Sequence, residues 1–179
     1  MMRVIGISGM PGSGKSFVSD KAIEKGALIV SMGDIIREEA KKRGETTGET
    51  AVNLRKEHGQ HIVSELTIQK IKNLQKEGHE KIVVEGIRSH HEVEMFKENF
   101  ENFMIVSAFT NPATRFERLK NRMREDDPQD YNDFIERDYR ELGFGLGNVI
   151  ALSDKIIINE SDLESYIKKI EECFDEIDF

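Results

Sequence analysis

Gly9, Gly12, Gly14, Lys15 and Ser16 bring together the residue types that hold a polyphosphate. They stand in the run Gly9-Met10-Pro11-Gly12-Ser13-Gly14-Lys15-Ser16, the pattern Gly-x4-Gly-Lys-Ser, with Phe17 directly behind it. Glycines let the backbone turn tightly and aim successive N–H groups inward as an anion-binding nest. A helix opening near Lys15 adds its positive N-terminal end. Lys15 is then placed to bridge the β- and γ-phosphates of a nucleoside triphosphate, and the Ser16 hydroxyl to ligate Mg²⁺. A ligand-free glycine turn is the plainer alternative. The strand expected before the motif and the helix after it favour phosphate binding.

Three further groups could act on the same phosphates. Asp34 and Arg37 lie three apart in Ser31-Met32-Gly33-Asp34-Ile35-Ile36-Arg37, where the guanidinium offers a planar fork that matches a phosphate. Asp34 as a plain helix N-cap, with Arg37 solvated on the first turn, is the competing reading. Glu85 ends the apolar run Ile82-Val83-Val84. An acid at the end of a buried strand beside a phosphate loop can hold Mg²⁺ through water or accept a proton; a surface acid is the alternative. Arg115, Arg118 and Arg122 share one narrow stripe of a helix, with Phe116, Leu119 and Met123 on another. An arginine face without acids at i+4 points to a phosphate clamp, with a solvated face as competitor for Arg115 and for the later Arg140.

The elements that must position these groups are readable from periodicity. Apolar runs predict strands at Arg3–Ser8, Ala27–Ser31, Lys81–Glu85, Phe103–Phe109 and Asp154–Ile158. Helices are expected at 16–25, 33–42, 92–99, 112–124 and 131–141, and the helical signal from 49 to 76 has polar breaks. Gly143, Gly145 and Gly147 read as a turn. A final helix carries Leu163, Tyr166, Ile167, Ile170, Phe174 and Ile177 at helical spacing. Five strands alternating with helices predict one α/β domain over 1–179, a five-stranded parallel sheet covered on both faces. The crossover 33–78 is long enough to carry a subdomain.

The 179 residues carry a net charge of −8, and the stretch 160–179 alone holds eight acids against two lysines. The acidity is thus read as a solvated tail helix and says little about the site, although it argues against a nucleic-acid surface. No apolar run approaches a membrane span, and the single Cys173 suits a reducing cytoplasm. His58, His61, His90 and His91 lack acids or cysteines at ligand spacing, and solvated histidines are the better reading. Cys173 is read as packing.

No Asn-Lys-x-Asp is present, so the guanine-reading pattern of small GTPases is missing. Instead Ile29–Arg37 resembles the Ile-Ser-Thr-Gly-Asp-x-Leu-Arg segment of adenylate kinases and related nucleoside monophosphate kinases. Val83-Val84-Glu85-Gly86-Ile87-Arg88 is similar to their strand-end Asp-Gly-x-x-Arg, with glutamate for aspartate and one residue less before the arginine. Together with Gly-Leu-Gly-x-Val-Ile-Ala-Leu-Ser-Asp near the end, the chain resembles the archaeal adenylate-kinase-related, dephospho-CoA-kinase-like family of the UPF0200 type. The resemblance implies that Arg37 and Arg88 hold the acceptor phosphate and that Asp34 lies at the Mg²⁺ shell with Ser16 and Glu85. It also implies that Arg118 and Arg122 reach the ATP base and phosphates. Arg122 and Arg137, with Asp126-Asp127-Pro128 between them, match a short lid over 122–141.

The expected function is therefore a P-loop kinase that uses ATP and Mg²⁺, with Lys15, Asp34, Arg122 and Arg137 catalytic. Its acceptor is expected to be a nucleoside monophosphate or a CoA-precursor-like molecule. A hydroxyl acceptor would need a base, for which Asp34 is the candidate. An ATP-binding regulator without a small-molecule acceptor is the alternative from another class.

Overall fold

The computed structural model describes residues 2–124 and 127–179, so Asp126 lies outside the described residues. Five strands form one sheet: β1 (Arg3–Ser8), β2 (Leu28–Ser31), β3 (Lys81–Glu85), β4 (Met104–Phe109) and β5 (Lys155–Ile158). Their order is β2-β3-β1-β4-β5 and every neighbouring pair is parallel. The sheet is therefore the one expected, and its glycine loop follows the central strand. With β1 between β3 and β4, successive connections leave it in opposite directions, and a crevice opens at the carboxyl ends of the strands.

Alternation along the strands divides the core. Ile5, Ile7, Val83, Val106 and Ala108 face α1 (Lys15–Glu24) and α9 (Leu163–Glu176), packing on Val18, Ala22, Tyr166, Ile170 and Phe174. Val4, Ile82, Val84 and Ile105 face the other layer, where α4 (Ile62–Lys76), α5 (His90–Asn99) and α8 (Leu146–Ala151) supply Val63, Ile71, Phe96 and Val149. Covering both faces explains why the strands read as apolar runs rather than as alternating ones.

The crossover between β2 and β3 is almost wholly helical: α2 (Met32–Arg43), α3 (Thr47–His58) and α4. The signal from 49 to 76 is two helices, because Gly59 at φ 99° ends α3 and turns the chain. Thr46 and Glu49 cap α3 reciprocally as a capping box. On the far side, α6 (Pro112–Arg122) starts with its proline at the first turn and is followed by α7 (Tyr131–Gly143). The expected turn at 143–147 is in part the short helix α8. Gly145, at φ 101°, is its N-cap, and Gly147 sits inside it, where a Cβ would meet Leu142 at 3.1 Å.

The tail helix α9 is less solvated than its composition suggests. It buries Tyr166, Ile170 and Phe174, and Lys21, Lys25 and Lys155 pair with its Glu171, Asp175 and Glu176. Cys173 packs there as expected, and burial pushes its thiol pKa up. Among the described residues no helix is long and apolar enough to cross a membrane.

Candidate active site

The loop from Gly9 to Gly14 is built from outside, through its carbonyls. Lys15 Nζ donates to Gly9 O at 2.5 Å and Met10 O at 3.1 Å. Arg115 donates to Pro11 O at 3.1 Å. Thr110 Oγ1 and Asn159 Nδ2 both donate to Ser13 O, at 3.1 and 3.0 Å. Tyr166 donates its hydroxyl to Gly14 O at 3.3 Å. Burial pushes the Tyr166 phenol further up, so it stays a donor throughout the physiological range. Five carbonyls engaged by side chains, with Ser13 N donating to Met10 O at 3.1 Å, hold the loop in the tight turn an anion-binding nest requires.

Gly9 and Gly14 meet two demands at once. Both take positive φ, at 142° and 95°, and both are closely approached. A Cβ on Gly9 would lie 2.5 Å from Ala108 O, and one on Gly14 would lie 2.3 Å from Asn159 Nδ2. No other residue fits either place. Ser8 Oγ and Ser13 Oγ are buried and have no hydrogen-bond partner among the described residues.

The loop forms the floor of a cleft of about 830 Å³ at the carboxyl ends of the strands. Eight cationic side chains and three carboxylates line it, in a chain of net charge −8. A positive cleft in an acidic protein focuses field on anionic ligands. Burial lowers the Lys15 pKa to about 8, while Glu141 and Glu85 act to keep the ammonium charged.

Most residues singled out in the sequence border this cleft. Gly9, Pro11, Gly12, Gly14, Lys15, Ser16, Phe17, Arg37, Glu85, Arg88, Arg118, Arg122 and Arg137 all line it. Ser16, at the first turn of α1, and Glu85, beside it on β3, are hard oxygen donors of the kind Mg²⁺ takes. Glu85 accepts a hydrogen bond from Ser19 Oγ, which fixes its carboxylate against α1. No group of three or more His, Cys, Asp or Glu converges as a metal cage among the described residues. A Mg²⁺ completed by phosphate oxygens and water needs only one or two protein oxygens, so the pair fits.

Asp34 stands apart. Its side chain is 53% exposed, it receives Arg37 Nε at 2.9 Å, and it is not among the residues lining the cleft. Ser31, not Asp34, caps α2.

Arg115 is neither a phosphate clamp nor solvated. Its side chain is 4% exposed and lies over Phe134, 5.0 Å from the ring centroid. It donates to both carboxylate oxygens of Asp138 on α7, at 2.8 and 2.5 Å, and to Thr110 O at 3.2 Å. It therefore ties α6, α7 and the phosphate loop together. Its partner is 23 residues away on another helix, so the spacing within α6 could not reveal it.

Arg118, Arg122 and Arg137 have partners of their own. Arg118 donates to Thr110 Oγ1 and to Asn159 O, beside the loop. Arg122 grips buried Asp127 through Nε at 2.9 Å and Nη2 at 2.5 Å, with Arg137 at 3.4 Å from the same carboxylate. The Arg122 hydrogen bond, the Arg124 amide and the Arg137 charge hold the Asp127 pKa down at about 2, against the burial that raises it. Arg140 is exposed.

Two of the charged cleft residues that were not anticipated stand out. Arg55, on α3, donates to its own Ala51 O at 2.8 Å and lines the cleft, as Arg37 does. Glu141, at the end of α7, is 11% exposed and lies 3.2 Å from Arg88 Nε. Neither carries a local motif: each is one charge among many on an amphipathic helix. The histidines form no ligand cluster, although the His61 and His91 rings meet at 3.9 Å between centroids.

Comparison with known proteins agrees with this architecture. The family described as AAA domain matches residues 8–134. A UPF0200 protein of Methanothermobacter thermautotrophicus is 51% identical over 162 residues, covering 90% of this chain and 84% of that one. The UPF0200 protein TK1334 of Thermococcus kodakarensis is 43% identical, covering 97% of each. Among solved structures, shikimate kinase from Bacteroides thetaiotaomicron superposes with TM-score 0.63 at 15% identity over the whole of both chains. A sugar kinase from Janibacter gives 0.64 at 14% identity, covering 99% and 95%. At that identity the likeness shows the fold, a P-loop kinase fold, and no more. From the relatives at 51% and 43%, the chain belongs to the UPF0200 family.

Proposed function

We propose that this chain is a P-loop kinase that transfers the γ-phosphoryl group of ATP to a nucleotide-like acceptor, a nucleoside monophosphate before others. The observation that carries the reading is that Arg37, Arg55 and Arg88 line the same cleft as the phosphate loop. Three guanidiniums in the cleft of a donor loop suit an acceptor that brings its own phosphate. Such an acceptor is already ionised and needs no general base, which is consistent with Asp34 being turned onto Arg37.

In this reading the loop amides and Lys15 hold the ATP phosphates, and Arg118 borders the base. Mg²⁺, held by Ser16 and through water by Glu85, would neutralise charge on the β- and γ-phosphates. Residues 122–141 act as a short lid. Arg122 and Arg137 leave Asp127 for the transferring phosphoryl, where they stabilise the charge that develops as closure excludes water. The crossover 33–78 is the acceptor-binding part of a single domain.

Transfer to a hydroxyl, as in a dephospho-CoA-like acceptor, is the second reading. The carboxylates of Glu85 and Glu141, both lining the cleft, favour it as possible proton acceptors. The test is ADP release from Mg·ATP with AMP, CMP, GMP, dNMPs and dephospho-CoA in turn. Acceleration of more than about tenfold by a monophosphate is expected, in line with positioning of two reactants. Acceleration by dephospho-CoA alone would select the second reading. Release that no acceptor accelerates would sink the kinase reading and leave an ATP-binding regulator.

A further inference from the structure

Of the three carboxylates in the cleft, two are occupied by the scaffold. Glu85 accepts from Ser19, and Glu92 accepts from the backbone N–H groups of Arg88 and Ser89 as part of the capping box that starts α5. Glu141 is different. It is nearly buried at the end of α7, and Arg88 is the side chain it pairs with, through Nε alone at 3.2 Å. The guanidinium itself is 54% exposed and rests against Phe144, 5.4 Å from the ring centroid. The backbone that carries it is fixed, because Arg88 N is held by Glu92 and Arg88 O is packed against Gly145. Glu141 also acts on Lys15 as the first of the charges that keep the ammonium protonated against burial.

We infer that Glu141 is the exchangeable counter-ion of the cleft, a positioning residue that holds Arg88 until the acceptor's phosphate takes its place. This rests on the acceptor-side reading of Arg88 given above. A nearly buried carboxylate beside two cations lowers the cost of gathering Lys15 and Arg88 in one cleft before any ligand arrives. The same carboxylate opposes a phosphate dianion that approaches Arg88, because like charges a few ångströms apart in a partly desolvated site repel strongly. The acceptor must therefore displace it. Occupation of the acceptor side frees Glu141 from Arg88, while its charge still supports the Lys15 ammonium on the donor side. One carboxylate thus links the two halves of the cleft.

The experiment is calorimetric titration of inorganic phosphate, and separately of AMP, into protein saturated with a non-hydrolysable ATP analogue. Glu141→Gln should bind phosphate about tenfold more tightly than the unaltered protein, since a repelling charge is removed. Glu141→Asp, which keeps the charge, should stay within about twofold. In an Arg88→Ala background the Glu141→Gln change should shift phosphate affinity by less than about twofold, because the guanidinium it competes for is gone. Phosphate affinity that is unchanged or weaker in Glu141→Gln would overturn the proposal, whatever AMP does. A phosphate gain in Glu141→Gln with no AMP binding in any variant would support the counter-ion and fail the nucleotide-acceptor reading instead.

Discussion

The phosphate loop and the helical crossover between β2 and β3 face one another across a single cleft, and they hold their charges by different means. On the loop side, Lys15 at the loop's own end holds the carbonyls of Gly9 and Met10, and Arg115, Asn159 and Tyr166 from distant parts of the chain hold those of Pro11, Ser13 and Gly14. Arg115 belongs to this side and is buried, with its charge cancelled by Asp138. On the crossover side, Arg37 pairs with Asp34 one turn earlier on its own helix, and Arg55 with its own Ala51 carbonyl. The first arrangement is long-range and costly to undo. The second is local, and for Arg37 half-exposed, so it can be exchanged for a ligand at small cost. Among these arginines, the partner separates the one built into the scaffold from those held by a local contact.

Arg115→Ala tests the scaffold side with the largest expected effect. It leaves the Asp138 carboxylate and Pro11 O without their partner, and should cost about 3–5 kcal/mol in urea unfolding. A loss under about 1 kcal/mol would place Arg115 with the exchangeable arginines.

Asp127 gives the intermediate case, a buried acid shared by Arg122 of α6 and Arg137 of α7. Its folded pKa of about 2 lies below the ordinary 3.8, so its contribution is present above that value and is lost as pH falls from about 4 towards 2. The difference corresponds to about 2 kcal/mol. Asp127→Asn should lower stability at pH 7 by roughly that amount and flatten the acid limb between pH 4 and 2. An acid limb as steep as that of the unaltered protein would remove Asp127 from the account.

Much of this architecture could be read in the residues themselves. All five strands were placed, because a strand buried on both faces is a run of β-branched residues with little else to be. The phosphate loop was equally plain, since its glycines answer to φ and close approach within eight residues. What escaped reading depends on distance in sequence. Arg115 looks like its neighbours Arg118 and Arg122 until Asp138 is brought to it from α7. Arg55 and Glu141 have no motif, and only the packing of α3 and α7 around the cleft selects them. Asp34 sits in a persuasive motif, and the structure pairs its carboxylate with Arg37 on the same helix. The helix α8 was hidden by three glycines, one of which is needed for tight packing on Leu142.

The division between the two sides is tested most directly by measuring ATP and AMP binding, with turnover, in Lys15→Ala and Arg37→Ala side by side. Lys15→Ala should abolish turnover and weaken ATP by about a hundredfold or more, as expected when a charge-assisted phosphate contact is lost. Arg37→Ala should leave ATP affinity within about twofold and weaken the acceptor by about tenfold or more, with stability changed by less than about 0.5 kcal/mol. Equal loss of ATP binding in the two variants would contradict a cleft with a donor side and an acceptor side.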